Sequence, residues 1–430
     1  MSVIGFAGMT HLGLCSAVAA ADRGWEVVCY DSSASLVEEL DKKVMPVSEP
    51  DLLDSVKCNE SRLEFSSEIG ALVECDIVYI SADVPTDSFG KSNLKPIEFL
   101  ISKVASNIKK TTILVVLCQV PPGFTRSLLQ TFDGQLFYQV ETLVFGQAID
   151  RAVNPERFII GSRLNDQPLP AKYQKYLESF GCPVLTMSYE SAELSKIAIN
   201  FCLVSSISVA NVLAEISESI GADWMDIVPS LRLDKRIGQY SYLKPGLGIS
   251  GGNLERDLRT IVDISEEKAI DSSIINAWIK NSHQRKDWCW ERFKQYALID
   301  NKDPIVAVLG LAYKENTRSI KNSPSLQLLS HMKEFSVRVH DPVVTEDVVP
   351  LLSYFESPLE CIEGSDVLII STPWPEYSDI SLDIICSKMR GRLIIDPYRM
   401  LDGGLLSRSG FQYHSLGRKP LFPSPISNHL

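Results

Sequence analysis

Short β-branched runs alternate with helical stretches through the first part of the chain. "SVIGFA" (2–7), "EVVCYD" (26–31), "DIVYISA" (76–82) and "TILVVL" (112–117) set this rhythm, which predicts βαβ units and a parallel sheet. From about residue 190 the period changes. "AELSKIAINFCLVSSISVANVLAEISESIG" holds no proline, and no glycine until Gly221, a candidate C-cap. It predicts a helix of roughly 30 residues, longer than the usual globular helix, that bridges domains or pairs with a copy of itself. A second helical stretch is expected around 266–297. After the polar "IDNKDP" (299–304), the runs "IVAVLGLA" (305–312), "VRVHDP" (337–342), "DVLIIST" (366–372) and "RLIIDP" (392–397) restart the strand rhythm. The expected fold is therefore α/β, with two Rossmann-like doubly wound domains (1–187 and 299–430) joined by a helical middle domain (188–298) that contains the long helix.

Length supports that division, because 430 residues exceed what one ordinary core holds. A net charge of −12 argues against nucleic acid or an anionic membrane as partner. A phosphorylated substrate then needs a local basic pocket. The ten cysteines stand singly with no C-x-x-C pair, so neither a metal site nor a disulfide framework is expected. The start "MSVIGFAGM" lacks the charged region of a signal peptide. No unbroken apolar run reaches the ~18 residues that span a bilayer, and a reducing cytoplasm is the simplest setting.

The first strand leads into "GMTHLG" (8–13), then a helix, then a strand ending at Asp31. This is close to the dinucleotide fingerprint: Gly8 for the tight turn, Gly13 for helix packing, Asp31 for the ribose hydroxyls. The middle glycine is replaced by Thr10. Asp31 would repel a 2′-phosphate, so NAD is expected rather than NADP. "LCQVPPGFT" (117–125) reads equally as a second cofactor loop or as a proline-rich turn. Lys196 and Asn200 lie at i and i+4 among apolar neighbours. Two readings stand open for the lysine: a buried ammonium suited to proton transfer, or a side chain reaching solvent at a domain edge. "LDKRIGQYSYLKPGLGISGGNLERD" (233–257) joins basic residues to a glycine-rich loop that suits phosphate or sugar hydroxyls. In "GLAYKENTRSIKNSP" (310–324), Lys314, Arg318 and Lys321 are candidates for holding another nucleotide.

These stretches together resemble the UDP-glucose/GDP-mannose dehydrogenase family. "ELSKIAIN", "ISVANVLAEI", "DKRIG", "YLKPG", "GLAYKENT", "STPWPEY" and "YHSLGR" follow in the family's order over essentially the whole chain. The resemblance implies an NAD domain, a helical dimerisation domain, hence a homodimer, and a C-terminal domain for a UDP- or GDP-sugar. Family members oxidise the sugar's C6 alcohol to a carboxylate with two NAD⁺, through a cysteine thioester. By the same resemblance Gly8, Thr10, Leu12, Gly13, Asp31, Val84, Gln119 and Glu141 contact the cofactor. Lys196, Asn200 and Asp257 match the residues that handle the C6 oxygen, and Glu141 matches the glutamate that activates water. Lys196, Tyr242, Lys244, Gly248, Gly251, Lys314 and Lys321 match substrate contacts.

Departures from the family pattern matter as much. The family's G-F-G-G-S-C-F-P-K-D aligns with Gly248 to Asp257, so Asn253 takes the place of the nucleophilic cysteine. No cysteine lies between Cys202 and Cys289. Val144 and Phe145 stand where the family has Arg and Glu, Gln119 replaces a threonine, and Lys321–Asn322 replaces an Arg–Glu pair. An amide is no nucleophile at neutral pH. The expectation is an NAD-dependent nucleotide-sugar oxidoreductase that stops after two electrons or passes through an aldehyde hydrate. The alternative is a non-catalytic sugar-nucleotide-binding relative with a regulatory or partner role.

Overall fold

Apolar runs of the chain become the centres of two sheets in the computed structural model, which describes residues 2–87, 90–165, 168–299, 301–345 and 353–423. Among the described residues, the first sheet comprises β1 (Val3–Ala7), β2 (Glu26–Tyr30), β3 (Leu63–Ser66), β4 (Ile77–Ile80), β5 (Ile113–Val116), β6 (Gln135–Gln139), β7 (Phe158–Ser162) and β8 (Val184–Ser188). Its order is β3-β2-β1-β4-β5-β6-β7-β8. All neighbours run parallel except β6 and β7, where Gln139 faces Ile160 antiparallel. Every residue of β4 and β5 is buried, as parallel strands covered on both faces require.

The second sheet comprises β9 (Ile305–Leu309), β10 (Ser336–His340), β11 (Ser353–Tyr354), β12 (Val367–Ile370), β13 (Leu393–Ile395) and β14 (Gln412–His414). Its order is β11-β10-β9-β12-β13-β14, parallel throughout. Both sheets reverse direction of winding beside their first strand, which is where doubly wound folds bind ligands.

The turn at that point is built twice. Gly8 (φ 101°) and Gly310 (φ 100°) each leave their strand in the left-handed region. Gly8 N donates to Tyr30 O at 2.8 Å and Gly310 N to His340 O at 2.7 Å. A side chain has no room at either place: a Cβ would stand 2.6 Å from Ala82 Cβ or 2.4 Å from Thr372 Cβ.

Five helices matter for the site: α1 (His11–Asp22), α2 (Tyr189–Ile220), α3 (Asn253–Lys268), α4 (Ser273–Lys286) and α5 (Trp288–Tyr296). The chain divides into two compact units, Met1–Ile199 and Asn200–Leu430. The helical stretch expected at 266–297 is three helices, the first starting at Asn253. Ala269 adopts a left-handed conformation (φ 55°) and ends α3.

No unbroken apolar run of membrane length was expected, and α2 holds an 18-residue window of mean hydropathy 1.9, apolar enough to cross a membrane by length and composition alone, a test that a core helix also passes. Counting unbroken runs hides it, because Ser205, Ser206, Ser208 and Asn211 interrupt the run and lower the average only a little. On the unit containing residues 200–430, Val209, Val212, Leu213, Ile216 and Ile220 are exposed. Their spacing places them on one stripe, the pattern of a packing face.

Candidate active site

The dinucleotide turn is shaped by close packing. A Cβ on Gly13 would lie 1.9 Å from Gly8 O, so α1 passes directly over the turn. Leu12 is buried in α1, and Val84 and Gln119 are buried just past β4 and β5. Asp31 Oδ2 accepts from Met9 N at 2.9 Å and Oδ1 from Ser33 N at 3.0 Å. A carboxylate accepts about four hydrogen bonds, and Asp31 is only half-buried. It keeps capacity for two ribose hydroxyls, so this turn fits a dinucleotide.

The matching acid of the second sheet cannot do the same. Asp341 is fully buried, and its Oδ2 accepts from Leu311 N, Ala312 N and Trp374 Nε1 at 2.7, 3.0 and 3.0 Å. Its Oδ1 accepts from Val343 N and Val344 N. Five donors leave this carboxylate saturated. The duplicated turn is thus a rigid support in the second sheet, with no carboxylate offered to a ribose.

Lys196 is 7% exposed and its Nζ lies 2.8 Å from Glu141 Oε1. The ammonium is buried and paired with a carboxylate, and does not reach solvent. One turn earlier on the same face, Glu193 accepts from Gly123 N at 2.6 Å and Thr125 N at 2.8 Å. Burial raises its carboxyl above the ordinary value. Glu193 so ties the 117–125 loop to α2, next to the turn that carries Lys196.

Four residues further along α2, Asn200 is buried and donates through Nδ2 to Asp257 Oδ2 on α3. Asp257 also lies 3.6 Å from Arg256 Nε. An amide held this way has its orientation fixed. The loop before α3 is as tightly constrained. Gly248 (φ 80°) would place a Cβ 2.4 Å from Ser282 O, and Gly251 N donates to Lys321 O at 3.1 Å. Lys314 Nζ lies 5.8 Å from the Tyr313 ring, against which Gly251 packs. Tyr242 and Lys244 flank buried Leu243, with both their side chains exposed.

Asn253 opens α3 and is exposed. Neither flanking cysteine, Cys202 or Cys289, is placed as a reactive thiol of the site. Cys289 is buried, and burial pushes its thiol far up. Cys202 is exposed on α2, two residues beyond Asn200, and residues at i and i+2 do not share a helix face.

Several contacts that shape the site escaped the sequence reading. Glu49 is buried and accepts from His11 Nε2 at 2.9 Å, Gly146 N at 3.0 Å and Ala148 N at 2.7 Å. Burial pushes this carboxyl up, but those hydrogen bonds outweigh it and hold it below the ordinary value. Phe145 stacks on His11 with ring centroids 4.1 Å apart. Phe145 therefore packs on the first residue of α1. In the other unit, Asn322 Nδ2 donates to Glu255 Oε2 at 2.6 Å, and Lys286 Nζ donates to Asn322 Oδ1. Burial lowers the Lys286 ammonium. Only the proline-flanked acid in "VSEPD" was a local signal for Glu49, since its partners lie 38 to 99 residues away.

Comparisons with known proteins bear on the family and the fold. Three family profiles match: the UDP-glucose/GDP-mannose dehydrogenase family's NAD-binding domain over residues 2–175, its central domain over 190–283 and its UDP-binding domain over 307–403. A UDP-glucose 6-dehydrogenase of Rickettsia typhi is 27% identical, covering 97% of this chain and 99% of the relative. One of Bacillus subtilis is 28% identical, covering 97% and 94%. A UDP-glucose dehydrogenase structure from Pyrobaculum islandicum superposes with a TM-score of 0.82 at 26% identity, covering 94% and 96%. A UDP-D-ManNAc dehydrogenase from Pyrococcus horikoshii shares the fold, with a TM-score of 0.83 at 22% identity over 97% and 99%.

Proposed function

We propose a function that starts from one premise: this chain belongs to the UDP-glucose/GDP-mannose dehydrogenase family. It is an NAD-dependent nucleotide-sugar dehydrogenase, and we infer that it oxidises the C6 alcohol of a UDP-sugar without a cysteine thioester. The observation that carries the reading is the pairing of Lys196 with Glu141 and of Asn200 with Asp257, in a chain whose nucleophile position holds Asn253.

NAD, when bound, supplies the hydride acceptor. The first domain (1–187) holds it through the Gly8–Gly13 turn, Asp31, Val84 and Gln119. Lys196 places a positive charge where negative charge develops on the C6 oxygen, and Glu141, in contact with it, offers a path for the departing proton. Asp257 fixes the Asn200 amide, whose remaining polar atoms orient the C6 oxygen or a water. Loss of one hydride and one proton turns the alcohol into an aldehyde. The last domain (299–430) takes the nucleotide, with Lys314, Lys321, Tyr242, Lys244, Gly248 and Gly251 as substrate contacts. Asn253 offers no nucleophile, so further oxidation runs only through the aldehyde hydrate.

The test is a panel of UDP- and GDP-sugars with and without NAD⁺, read by melting temperature and by NADH absorbance. A UDP-sugar is expected to raise the melting temperature, since it binds only the folded chain, and to release NADH. A melting shift without NADH from any sugar would replace this reading with a binding protein.

The middle domain (188–298) serves as the dimer face in this reading, set in the cytoplasm. Its support is the exposed stripe Val209–Val212–Leu213–Ile216–Ile220, which a second copy would cover. Light scattering at micromolar concentration is expected to give twice the chain mass of 47.8 kDa. A monomer there would contradict the assignment.

A further inference from the structure

The start of α1 carries a feature that the dinucleotide fingerprint does not include. Thr10 is its N-cap residue, yet its side chain makes no cap. The hydroxyl is used elsewhere: Thr10 Oγ1 accepts from Asp83 N at 2.8 Å and lies 3.5 Å from Ser81 O. Asp83, just past β4, turns its own carboxylate onto the helix instead. Its Oδ2 lies 3.4 Å from Leu12 N, in the first turn of α1. The residue is solvent-accessible, yet the protein around its carboxyl raises that group above its ordinary value by desolvation.

First-turn N–H groups carry the positive end of the helix and are where a dinucleotide's diphosphate is bound. A carboxylate there takes one of the same donors, Leu12 N, and repels the same ligand. We propose that Asp83 sets the affinity for the cofactor as an internal occupant of the diphosphate position that NAD must displace. This rests on the NAD reading above. The long 3.4 Å contact makes displacement easy, since only a weak hydrogen bond is lost. Its charge persists near the diphosphate all the same, and lowers affinity for any ligand that carries one.

The experiment is calorimetric titration of the apo protein and of Asp83→Asn with NAD⁺, ADP-ribose and adenosine. Asparagine keeps the size and an acceptor oxygen while removing the charge. Asp83→Ser is the second neutral variant, and apo melting curves establish that each is folded. Both variants are expected to bind NAD⁺ and ADP-ribose about tenfold more tightly than the parent. Adenosine, which has no phosphate, should bind all three proteins alike. The gain should also shrink as salt rises, because exposed charges are screened, whereas a merely structural role would not respond to salt. Equal NAD⁺ affinity in parent and variants, or an equal gain for adenosine, would overturn the proposal. Failure of every form to bind NAD⁺ would overturn the cofactor reading and this inference with it.

Discussion

Replacing Lys196 with methionine is expected to slow NADH formation by about a hundred- to ten-thousand-fold, the range seen when a positioned proton-handling or charge-stabilising group is lost. NAD⁺ affinity should change little, because Lys196 is no part of the dinucleotide turn. The same change leaves Glu141 without its ammonium in a place where its side chain is 13% exposed. Removing one partner of a buried pair costs up to about 3–5 kcal/mol, and the partial exposure of Glu141 sets the expected loss below that. Stability and catalysis can be separated with a second variant. Lys196→Met combined with Glu141→Gln should recover most of the melting temperature and none of the rate. Stopped-flow NADH absorbance with melting curves checks both. A Lys196→Met rate within fivefold of the parent would remove Lys196 from the proposed chemistry.

The second large effect concerns the missing thiol. The parent should form no covalent sugar adduct, whereas Asn253→Cys should form one. The substituted thiol would sit at the first position of α3, exposed and near the positive end of a helix, the setting that favours thiolate. Acid formation should nonetheless stay slow. Hydrolysis of a thioester needs an activated water, and Glu141 is held by Lys196 while Phe145 is stacked on His11. The adduct is therefore expected to accumulate, and intact-protein mass spectrometry after mixing with UDP-sugar and NAD⁺ reads it directly. Rapid acid release by Asn253→Cys alone would show that the rest of the thioester machinery is intact.

How much of this was legible in sequence follows from how local each signal is. The strands β1, β2, β4, β5, β9, β12 and β13 announce themselves as apolar runs, and β10 as a β-branched run around Arg338. β3, β6 and β8 do not, because polar residues such as Glu64, Gln135 and Thr186 break them, and their place is set by neighbouring strands. The helix α2 was legible because it lacks breakers. The fingerprint turn was legible because Gly8, Gly13 and Asp31 are tied to a strand–helix–strand register. Pairings such as Glu49 with His11, or Asn322 with Glu255, join residues 38 and 67 apart and have no local trace. Asp83 was missed for a similar reason: its meaning depends on Leu12, 71 residues away. The repeat of the Gly8 turn at Gly310 was hidden because "GMTHLG" and "GLAYKE" share little beyond the first glycine.

The most direct measurement is a single turnover of enzyme with its best UDP-sugar and excess NAD⁺, with NADH counted per site and products identified by mass spectrometry after hydroxylamine trapping. Asn253 in place of the nucleophile predicts one NADH per site in the fast phase and a trapped aldehyde, with any acid appearing later and slowly. Two NADH released at similar rates, with only the uronic acid found, would contradict the account, because the chain would then perform the second oxidation without the sulfur on which the family relies.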